Sequence, residues 1–468
     1  MKIIPIPLLL AFLTCATTLQ TESAARPPNI LFILADDLGT TPVGIYGNTY
    51  YQTPNIDGLA RDGMRFTDAY ASCPVCSPTR GALMTGKYPA RTHVTDFIPG
   101  STFPWARLKQ PDWQKFLPLS EVTIAEELSA RGYVTALFGK WHLAKDYFPP
   151  ESIEEGPDRQ GFAETFITHK PKATDNPEKD AHGVEKVTQH ALDFLERNRD
   201  RRFFLELSYN SIHAPVMAPK AILEKYRTRA GSDRPENRPI IGAMMEILDA
   251  GVGRVLAKLD QLGLRDNTLV IFYSDNGGLL KDGAQTPFRG GKAQLYEGGI
   301  RVPLIIRWPG VVARGRVSDL PVTTVDFFPT LLDLTGQPAA SKGELDGISL
   351  ASHLRGEPAP VRDGIYWHYP HYHASGLGGP AGAVRAGNWK YIEYYETTLT
   401  GKGHELELFD LRADPGEVKN LAADEPAKVA KLRAQLAAWR KAVGAQMPTV
   451  NPGFDPTKMN KRRGKGSD

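Results

Sequence analysis

Two pairs of oxygen-bearing side chains each follow an apolar run of the sequence. Asp36 and Asp37 come after the first such run, and Asp275 and Asn276 come after a later one. Carboxylate and amide oxygens are the ligands that hard cations such as Ca²⁺ or Mg²⁺ prefer, whereas zinc prefers nitrogen and sulfur. Either pair alone could be an ordinary turn at a strand end. Two such pairs after two strands of one expected sheet favour a site for a divalent cation.

Cys73 and Cys76 form the second group that could do chemistry. Zinc would need four ligands, and no second cysteine pair follows in the chain. A redox pair is an alternative, although the surrounding sequence does not resemble a small thioredoxin-like unit. The spacing from either cysteine to Arg80 does not match the loop of a thiol phosphatase. The remaining interpretation places Cys76 at the entrance to a helix, where free N–H groups and Arg80 would bind an anion and activate a nucleophile.

The elements that must position these residues alternate between apolar runs and amphipathic stretches. Strands are predicted at 29–34, 133–138, 203–207 and 268–273, and helices at 53–63, 81–86, 120–132, 185–197 and 243–262. This alternation over about 300 residues predicts an α/β fold, with a large mixed, mostly parallel sheet flanked by helices. Ligands of such sheets bind outside the carboxyl ends of the strands. The polar clusters follow those ends, so we expect them to meet at one edge.

The sequence changes character beyond about residue 360, where short strands replace the alternation. Antiparallel strands are predicted at 382–395 and 405–410, and a closing helix carries Val429, Leu432, Leu436, Trp439 and Val443 at helical spacing. We therefore predict a signal peptide at 1–25, the main α/β domain at 26–360, a smaller C-terminal α+β domain at 361–447 and a disordered basic tail at 448–468.

The N-terminus has the layout of a signal peptide. Lys2 precedes an apolar run at 3–13 that is too short to span a bilayer, and small residues lead to Ala25. Cys15 could suggest a lipoprotein anchor, but Thr14 stands where a smaller residue is required, so plain cleavage near Ala25 is expected. No later segment is apolar for long enough to cross a membrane. The sequence therefore predicts a secreted or periplasmic protein.

Composition narrows the class of partner. Hydrophobic residues make up 41% and charged residues 23% of the chain, as in soluble globular enzymes. The formal net charge is only +3, which is too weak to indicate nucleic acid as a partner.

The segment around Cys76 resembles the signature of the formylglycine-dependent sulfatases, a family of the alkaline-phosphatase-like superfamily. Cys76-Ser-Pro-Thr-Arg80, continued to Pro89, matches the pattern Cys-x-Pro-x-Arg, and the segment 132–142 resembles the second signature of the family. The resemblance covers the chain from Asn29 to about Ala422 and is strongest to the bacterial polysaccharide sulfatases. It implies that a maturation enzyme oxidises Cys76 to formylglycine (3-oxoalanine).

The resemblance also implies roles, residue by residue. A Ca²⁺ ion, with Mg²⁺ as the alternative, would be held by Asp36, Asp37, Asp275, Asn276 and the modified Cys76. Arg80 and Lys140 would orient and stabilise the nucleophile, with help from His142. His213 and Lys292 would bind the sulfate and help the leaving oxygen depart. One hydroxyl of the hydrated aldehyde would attack sulfur, and preorganised positive charge would be the largest catalytic contribution.

A segment rich in aromatic residues and histidines bears on the substrate. Residues 367–373, with two later glycines and Arg385, resemble a segment of bacterial sulfatases that act on polysaccharides. Such side chains suit stacking on sugar rings, but they could equally join the small domain to the large one. The candidate substrate-binding residues are His368, His371, His373 and Arg385, and a galactose- or N-acetylgalactosamine-type sulfated glycan is the expected substrate.

Two alternatives share most of these residues. A phosphodiesterase or phosphonate monoester hydrolase of the same superfamily can use the same Cys-x-Pro-x-Arg nucleophile. A catalytically inactive, glycan-binding relative is the other, although the complete set of ligand and nucleophile residues argues against it.

Overall fold

The computed structural model describes residues 27–145, 154–283, 285–336, 344–375 and 378–458. The strands are β1 Asn29–Ala35, β2 Met64–Phe66, β3 Ala69–Tyr70, β4 Leu108–Lys109, β5 Val134–Gly139, β6 Glu164–Ile167, β7 Phe203–Ser208, β8 Thr268–Ser274, β9 Leu304–Arg307, β10 Arg316–Ser318, β11 Val322–Thr323, β12 Ile365–Tyr369, β13 Ala381–Ala386, β14 Trp389–Tyr394, β15 Glu407–Asp410 and β16 Thr449–Val450. The α-helices are α1 Pro54–Arg61, α2 Cys76–Thr85, α3 Pro89–Thr92, α4 Ile124–Ala130, α5 Val184–Arg197, α6 Lys220–Arg227, α7 Pro239–Gln261, α8 Glu297–Ile300, α9 Phe327–Leu334, α10 Ala351–Leu354, α11 Tyr395–Thr400 and α12 Pro426–Ala442. Single 3₁₀ turns lie at Gly44–Tyr46, Pro157–Gln160, Arg265–Asn267, Leu280–Asp282 and Thr324–Asp326.

The main sheet has eight strands in the order β10-β2-β9-β8-β1-β7-β5-β6. All neighbours pair in parallel except β9, which is antiparallel to both β2 and β8. Every residue of β1 is buried, as expected for a strand covered on both faces. The predicted large mixed, mostly parallel sheet flanked by helices is confirmed.

The two faces of this sheet build two separate cores. Alternate side chains of β1 point to opposite faces, so that Ile30 and Phe32 belong to one core and Leu31 and Ile33 to the other. Helices α2, α4, α9 and α10 pack on the first face, and helices α1, α5, α6 and α7 on the second. The sheet is therefore held rigidly between two helical layers.

Strand register brings four strand ends to one edge. Leu34 of β1 and Gly139 of β5 both pair with Ser208 of β7, and Ala35 pairs with Ser274 of β8. Gly139 has φ 120°, and a Cβ at this position would lie 1.9 Å from the Ser208 carbonyl oxygen. Only glycine therefore allows β5 to end this close to β7.

A second sheet, β12-β13-β14-β15, is antiparallel throughout. Helix α12 covers its outer face through Leu432 and Leu436, at the positions where the closing helix was predicted. The inner face packs on the main domain, where the Trp367 Nε1 donates a hydrogen bond to the Ala71 carbonyl, 2.8 Å away. Trp367 thus joins the second sheet to the main domain, one of the two roles considered for the aromatic segment.

Several boundaries differ from the sequence-based expectation. The helix expected at 81–86 begins at Cys76, and α4 begins at Ile124 because Thr123 accepts a hydrogen bond from the Glu126 amide in a capping box. The helix expected at 53–63 begins at Pro54 without a side-chain cap, since the Thr53 hydroxyl donates to Asp57.

The predicted disorder of 448–468 is wrong at its start. Thr449 and Val450 pair as an antiparallel strand with Leu108 and Lys109, and the structure describes the chain to residue 458. The rest of that tail and the predicted signal peptide at 1–25 lie outside the described residues. Within the described part of the chain, none of the helices combines the length and the apolar character that crossing a membrane requires.

Candidate active site

Asp36 and Asp37 are positioned by the ends of three neighbouring strands. The Asp36 amide donates to the Ser211 carbonyl beyond β7, and the Asp37 amide donates to Asp275 Oδ1 beyond β8, at 2.9 and 3.1 Å. Asp37 has φ 59°, a left-handed conformation that is costly for a non-glycine residue and is common at functional sites. The convergence of these acids, which the sequence predicted from strand ends, is present in the structure.

Cys76 is the first residue of α2 and is 1% exposed. The preceding Val75 is extended and provides no side-chain cap, so the first N–H groups of the helix lack a side-chain partner. The Cys76 Sγ lies 3.5 Å from Asp36 Oδ1 and 3.7 Å from Asp37 Oδ1. Burial, with the charge of Asp275, raises the pKa of the thiol despite two nearby lysines. The unmodified side chain is therefore a neutral thiol, unlike the activated nucleophile expected at a positive helix end.

Arg80 lies one turn further along α2 and connects three strand ends. Its Nε donates to Asp275 Oδ2 at 2.9 Å, and its Nη1 donates to the Lys140 carbonyl at 3.0 Å and to the Ser208 hydroxyl at 2.5 Å. The Nη2 lies 2.7 Å from Asp275 Oδ2 but makes no hydrogen bond among the described residues. The guanidinium is thus fixed in place and retains donor capacity for an anion.

Two lysines face the acidic pair. Lys140 Nζ lies 2.7 Å from Asp36 Oδ2, and Lys292 Nζ lies 2.5 Å from Asp37 Oδ1 and 3.3 Å from Cys76 Sγ. Burial alone would raise the pKa of both carboxyls, but the lysines and other nearby positive charges outweigh it and lower both values. The acids are therefore ionised, and each has a cation in direct contact.

The residues present fit a hard divalent cation. Ligand atoms of Asp36, Asp37, Cys76 and His213 lie within 4.8 Å of one another. The buried oxygens Asp37 Oδ2 and Asn276 Oδ1 have no hydrogen-bond partner among the described residues. Buried polar atoms are normally satisfied, so an unpaired carboxylate oxygen and an unpaired amide oxygen at this position fit the ligand set of a hard cation.

His142 is oriented by a peptide outside the predicted site. Its Nε2 donates to the Ile98 carbonyl at 2.6 Å, and the Ile98 amide donates to the Ser77 hydroxyl of α2 at 3.0 Å. This bond assigns the proton to Nε2 and leaves Nδ1 as the basic nitrogen. Burial and the charge of Lys140 lower the pKa of His142 well below its usual value, so the ring is neutral.

His213 stands between the acidic pair and the surface. Its Nδ1 donates to the Ala214 carbonyl at 2.5 Å, and its Nε2 lies 3.7 Å from Asp37 Oδ2. Burial lowers the pKa of the ring to about 4 against the opposing effect of Asp37. A neutral acceptor nitrogen facing a carboxylate oxygen leaves room for an electropositive group between them.

Three of the four candidate substrate-binding residues are engaged inside the protein. His368 is bonded to Tyr395 and to the Gln446 carbonyl, and Arg385 to Asp68 and Tyr70, so both side chains are engaged within the protein. His371 is fully buried and shares a hydrogen bond with Thr95.

His373 shares a hydrogen bond with the Ser375 hydroxyl at 2.8 Å, and of these four it is the one whose pKa responds to Lys292 and Asp37. Burial and the charge of Lys292 lower its pKa to about 3, with Asp37 opposing the shift. Nearby, a Cβ at Gly378 would lie 2.4 Å from the Ala293 carbonyl, so this segment packs directly on the loop that carries Lys292. A role in substrate binding remains a prediction for His373; the other three are built into the fold.

Lys170 is a site residue that sequence reasoning missed. It follows β6, and the Thr168 amide in the same segment donates to the Gly139 carbonyl at 2.9 Å. Burial and the charges of Lys140 and Lys292 lower the pKa of Lys170. Its position just beyond a strand end was the signal that could have identified it.

Asp96, in the loop that carries Ile98, is fully buried beside this site. Its Oδ1 accepts hydrogen bonds from the Tyr369 hydroxyl at 3.0 Å and the Phe97 amide at 2.9 Å, and its Oδ2 lies 3.9 Å from His371 Nδ1. Burial raises the pKa of this carboxyl to about 8 in spite of those bonds.

The free energy of unfolding of the parent protein should fall between pH 5 and pH 8, and in the Asp96→Asn variant it should fall by less. A carboxyl with a raised pKa holds a proton in the folded state that the unfolded chain releases. Asp96 therefore adds to the free energy of unfolding at low pH. This contribution falls by up to about 1.4 kcal/mol per pH unit as the pH rises towards 8. Urea unfolding at both pH values measures this slope. The exposed control Asp193→Asn should follow the unmodified protein, and equal slopes for all three would contradict the prediction.

Comparison with known proteins identifies similar sequences along nearly the whole chain. Residues 28–337 match the sulfatase family model, and residues 291–442 match the C-terminal model of N-sulphoglucosamine sulphohydrolase. Human arylsulfatase A is 34% identical over 85% of this chain and 84% of its own length. The N-acetylgalactosamine-6-O-sulfatase of Bacteroides thetaiotaomicron is 28% identical over 91% of this chain and 97% of its own.

The fold is also similar to a solved structure, that of Ps i-CgsB in complex with k-i-k-neocarrahexaose. The TM-score is 0.74 at 26% sequence identity, and the match covers 93% of this chain and 97% of that one.

Proposed function

Since this chain belongs to the sulfatase family and is a sulfuric ester hydrolase, we propose that it removes sulfate from a sulfated saccharide. In this proposal the nucleophile is a formylglycine made from Cys76, and one divalent cation completes the site. The observation that carries it is the meeting of three carboxylates, three buried cationic side chains and Cys76 at one sheet edge.

Charge balance supports the cation. Asp36, Asp37 and Asp275 are matched by Arg80, Lys140 and Lys292, all buried, so the site without a metal is close to neutral. A divalent cation held by the carboxylates, Asn276 and residue 76 would leave the excess positive charge that a sulfate ester anion needs. When bound, such an ion stabilises charge that develops on the transferring group.

The modification at position 76 supplies what a thiol cannot. A hydrated aldehyde carries two hydroxyls on one carbon, so the sulfated form can release sulfate and return to the aldehyde. This maturation requires a formylglycine-generating enzyme as a partner.

The remaining residues hold and move protons around position 76. His142 is set to accept a proton at Nδ1, because its Nε2 is bonded to the Ile98 carbonyl. Lys292, whose pKa stays well above its usual value despite burial because Asp37 lies beside it, carries a proton that it can give to the leaving oxygen. His213, the second candidate for that step, is neutral in the structure and would act after taking up a proton.

The saccharide substrate is supported by the relatives and by the mouth of the site. Proteins similar to this chain act on N-acetylgalactosamine 6-O-sulfate or have been solved with k-i-k-neocarrahexaose, as their names state. We therefore propose a galactose- or N-acetylgalactosamine-type glycan, with His373 and Lys170 in contact with the sugar. We also propose export through cleavage of residues 1–25, and Ca²⁺ ahead of Mg²⁺ as the cation.

Chromogenic sulfate and phosphorus esters test the reaction class directly. The matured protein should hydrolyse a nitrophenyl sulfate with a larger kcat/KM than the matching phosphate monoester, phosphodiester or phosphonate monoester. Faster turnover of any of the phosphorus esters would replace the proposal by its nearest alternative. Hydrolysis of neither kind by protein with a verified aldehyde would indicate an inactive glycan-binding relative.

A further inference from the structure

A large open groove lies beside the proposed active site and is lined by positive charge. Its volume is about 1170 Å³, and its charged lining residues are Arg65, Arg229, Arg234, Arg301 and a single acid, Glu236. We call it the arginine groove. Its walls come from segments far apart in the chain, near residues 40–50, 65–67, 229–237 and 286–288, together with Arg301 and Pro415, which is why no local sequence pattern predicts it.

Three of these arginines have no carboxylate partner. Arg301 is neutralised by Glu297 and Asp68, at 3.1 Å each. The Arg65 guanidinium instead lies over the Tyr46 ring, 5.2 Å from its centroid, and Arg229 donates to the Thr49 carbonyl at 3.2 Å. Neither of these two, nor Arg234, forms an ion pair within the described part of the chain. A concave wall with uncompensated guanidinium groups concentrates positive potential and attracts anions.

The groove is close to the proposed site along the chain. Thr41 lines it and is only four residues beyond Asp37, at most about 14 Å of extended chain. The Thr41 hydroxyl donates to the Thr286 carbonyl at 2.9 Å, and both residues line the groove. Thr41 also lines a small recess shared with Asp37 and Gln285. An oligosaccharide of several sugar units bound at the acidic pair would therefore be long enough to reach the arginine groove.

We propose that the arginine groove binds further sulfate groups of an oligomeric or polymeric sulfated glycan while one sulfate is bound at the acidic pair. This inference builds on the proposed function and narrows its substrate to glycans carrying several sulfates. Planar guanidinium groups suit sulfate oxygens because two N–H groups can donate in parallel. A glycan with a single sulfate would gain nothing from the groove.

Polymer binding tests the groove separately from catalysis. In a Cys76→Ala background that cannot turn over, Arg229→Ala with Arg234→Ala should weaken binding of dextran sulfate about tenfold at low salt. The difference should shrink towards about 1 M salt, where the screening length is only about 3 Å. The matched control is Arg199→Ala with Arg202→Ala, two exposed arginines at the opposite, amino-terminal edge of the sheet, and it should bind as the parent does.

Measurement of kcat/KM provides the second test of the groove. In the matured enzyme the groove pair should lower kcat/KM for a multiply sulfated oligosaccharide about tenfold and leave a nitrophenyl sulfate unchanged. Equal affinity of groove and control variants for dextran sulfate, or equal binding of neutral dextran by the parent, would overturn the proposal. If the proposed function were wrong, the matured protein without any substitution would hydrolyse none of the sulfate esters.

Discussion

Cys76→Ala should lower kcat/KM for sulfate esters by at least about ten-thousandfold, because it removes the thiol that maturation would convert into the proposed aldehyde. The fold should survive. The side chain is small and 1% exposed, and the strand ends around it are joined by backbone bonds and by Arg80. The measurement is kcat/KM on a nitrophenyl sulfate together with thermal unfolding.

Cys73→Ala is the matched control for this experiment. Cys73 is an equally buried free thiol three residues earlier, and its amide and carbonyl are held by the Thr79 hydroxyl rather than through its sulfur. The variant should keep activity within about tenfold of the parent, the loss that a small cavity near a site can cause. A Cys76→Ala protein with near-parental turnover, or a Cys73→Ala protein as inactive as Cys76→Ala, would contradict the assignment of the nucleophile.

Asp37→Asn should abolish the stabilisation of the protein by added cation and should lower kcat about a thousandfold or more. Asp37 Oδ1 accepts from Lys292 and from the Asn276 amide, and its Oδ2, like Asn276 Oδ1, is a buried oxygen of the site without a hydrogen-bond partner among the described residues. The amide keeps the shape but lacks the charge that a cation requires. The parent should be stabilised by about 2.7 kcal/mol when Ca²⁺ or Mg²⁺ is present at a hundred times its dissociation constant, and the variant should not be.

Asp96→Asn makes the same chemical change at another fully buried carboxyl and should keep the full response to the cation. Chelation of the parent should abolish turnover, and readdition of the cation should restore it. If Asp37→Asn still showed the parental shift in unfolding temperature with added cation, the proposed metal site would have to lie elsewhere.

Much of this arrangement could be predicted because it depends on short-range patterns. Buried parallel strands are continuous apolar runs, so β1 and β8 could be located to within a residue. Polar residues directly after them must share one edge of the sheet, which is how Asp36 and Asp275 could be paired across 239 positions of the chain.

The rest depended on contacts that no local pattern encodes. The orientation of His142 comes from the peptide of Ile98 and the hydroxyl of Ser77, two residues without chemical distinction in the sequence. Arg385 looked like a substrate ligand by position but is held by Asp68. The pairing of Thr449 with Lys109 likewise joins segments far apart in the chain, so the tail looked disordered when read alone.

The central claim, that turnover depends on an aldehyde at position 76, is tested most directly by comparing modification with activity. Protein produced with graded amounts of a formylglycine-generating enzyme would be analysed by peptide mass spectrometry for the aldehyde fraction at Cys76. The same samples would be assayed for sulfate ester hydrolysis. We expect kcat per total protein to rise in proportion to that fraction and to reach zero when every molecule carries the thiol. Full activity in protein whose position 76 is entirely unmodified cysteine would contradict the account.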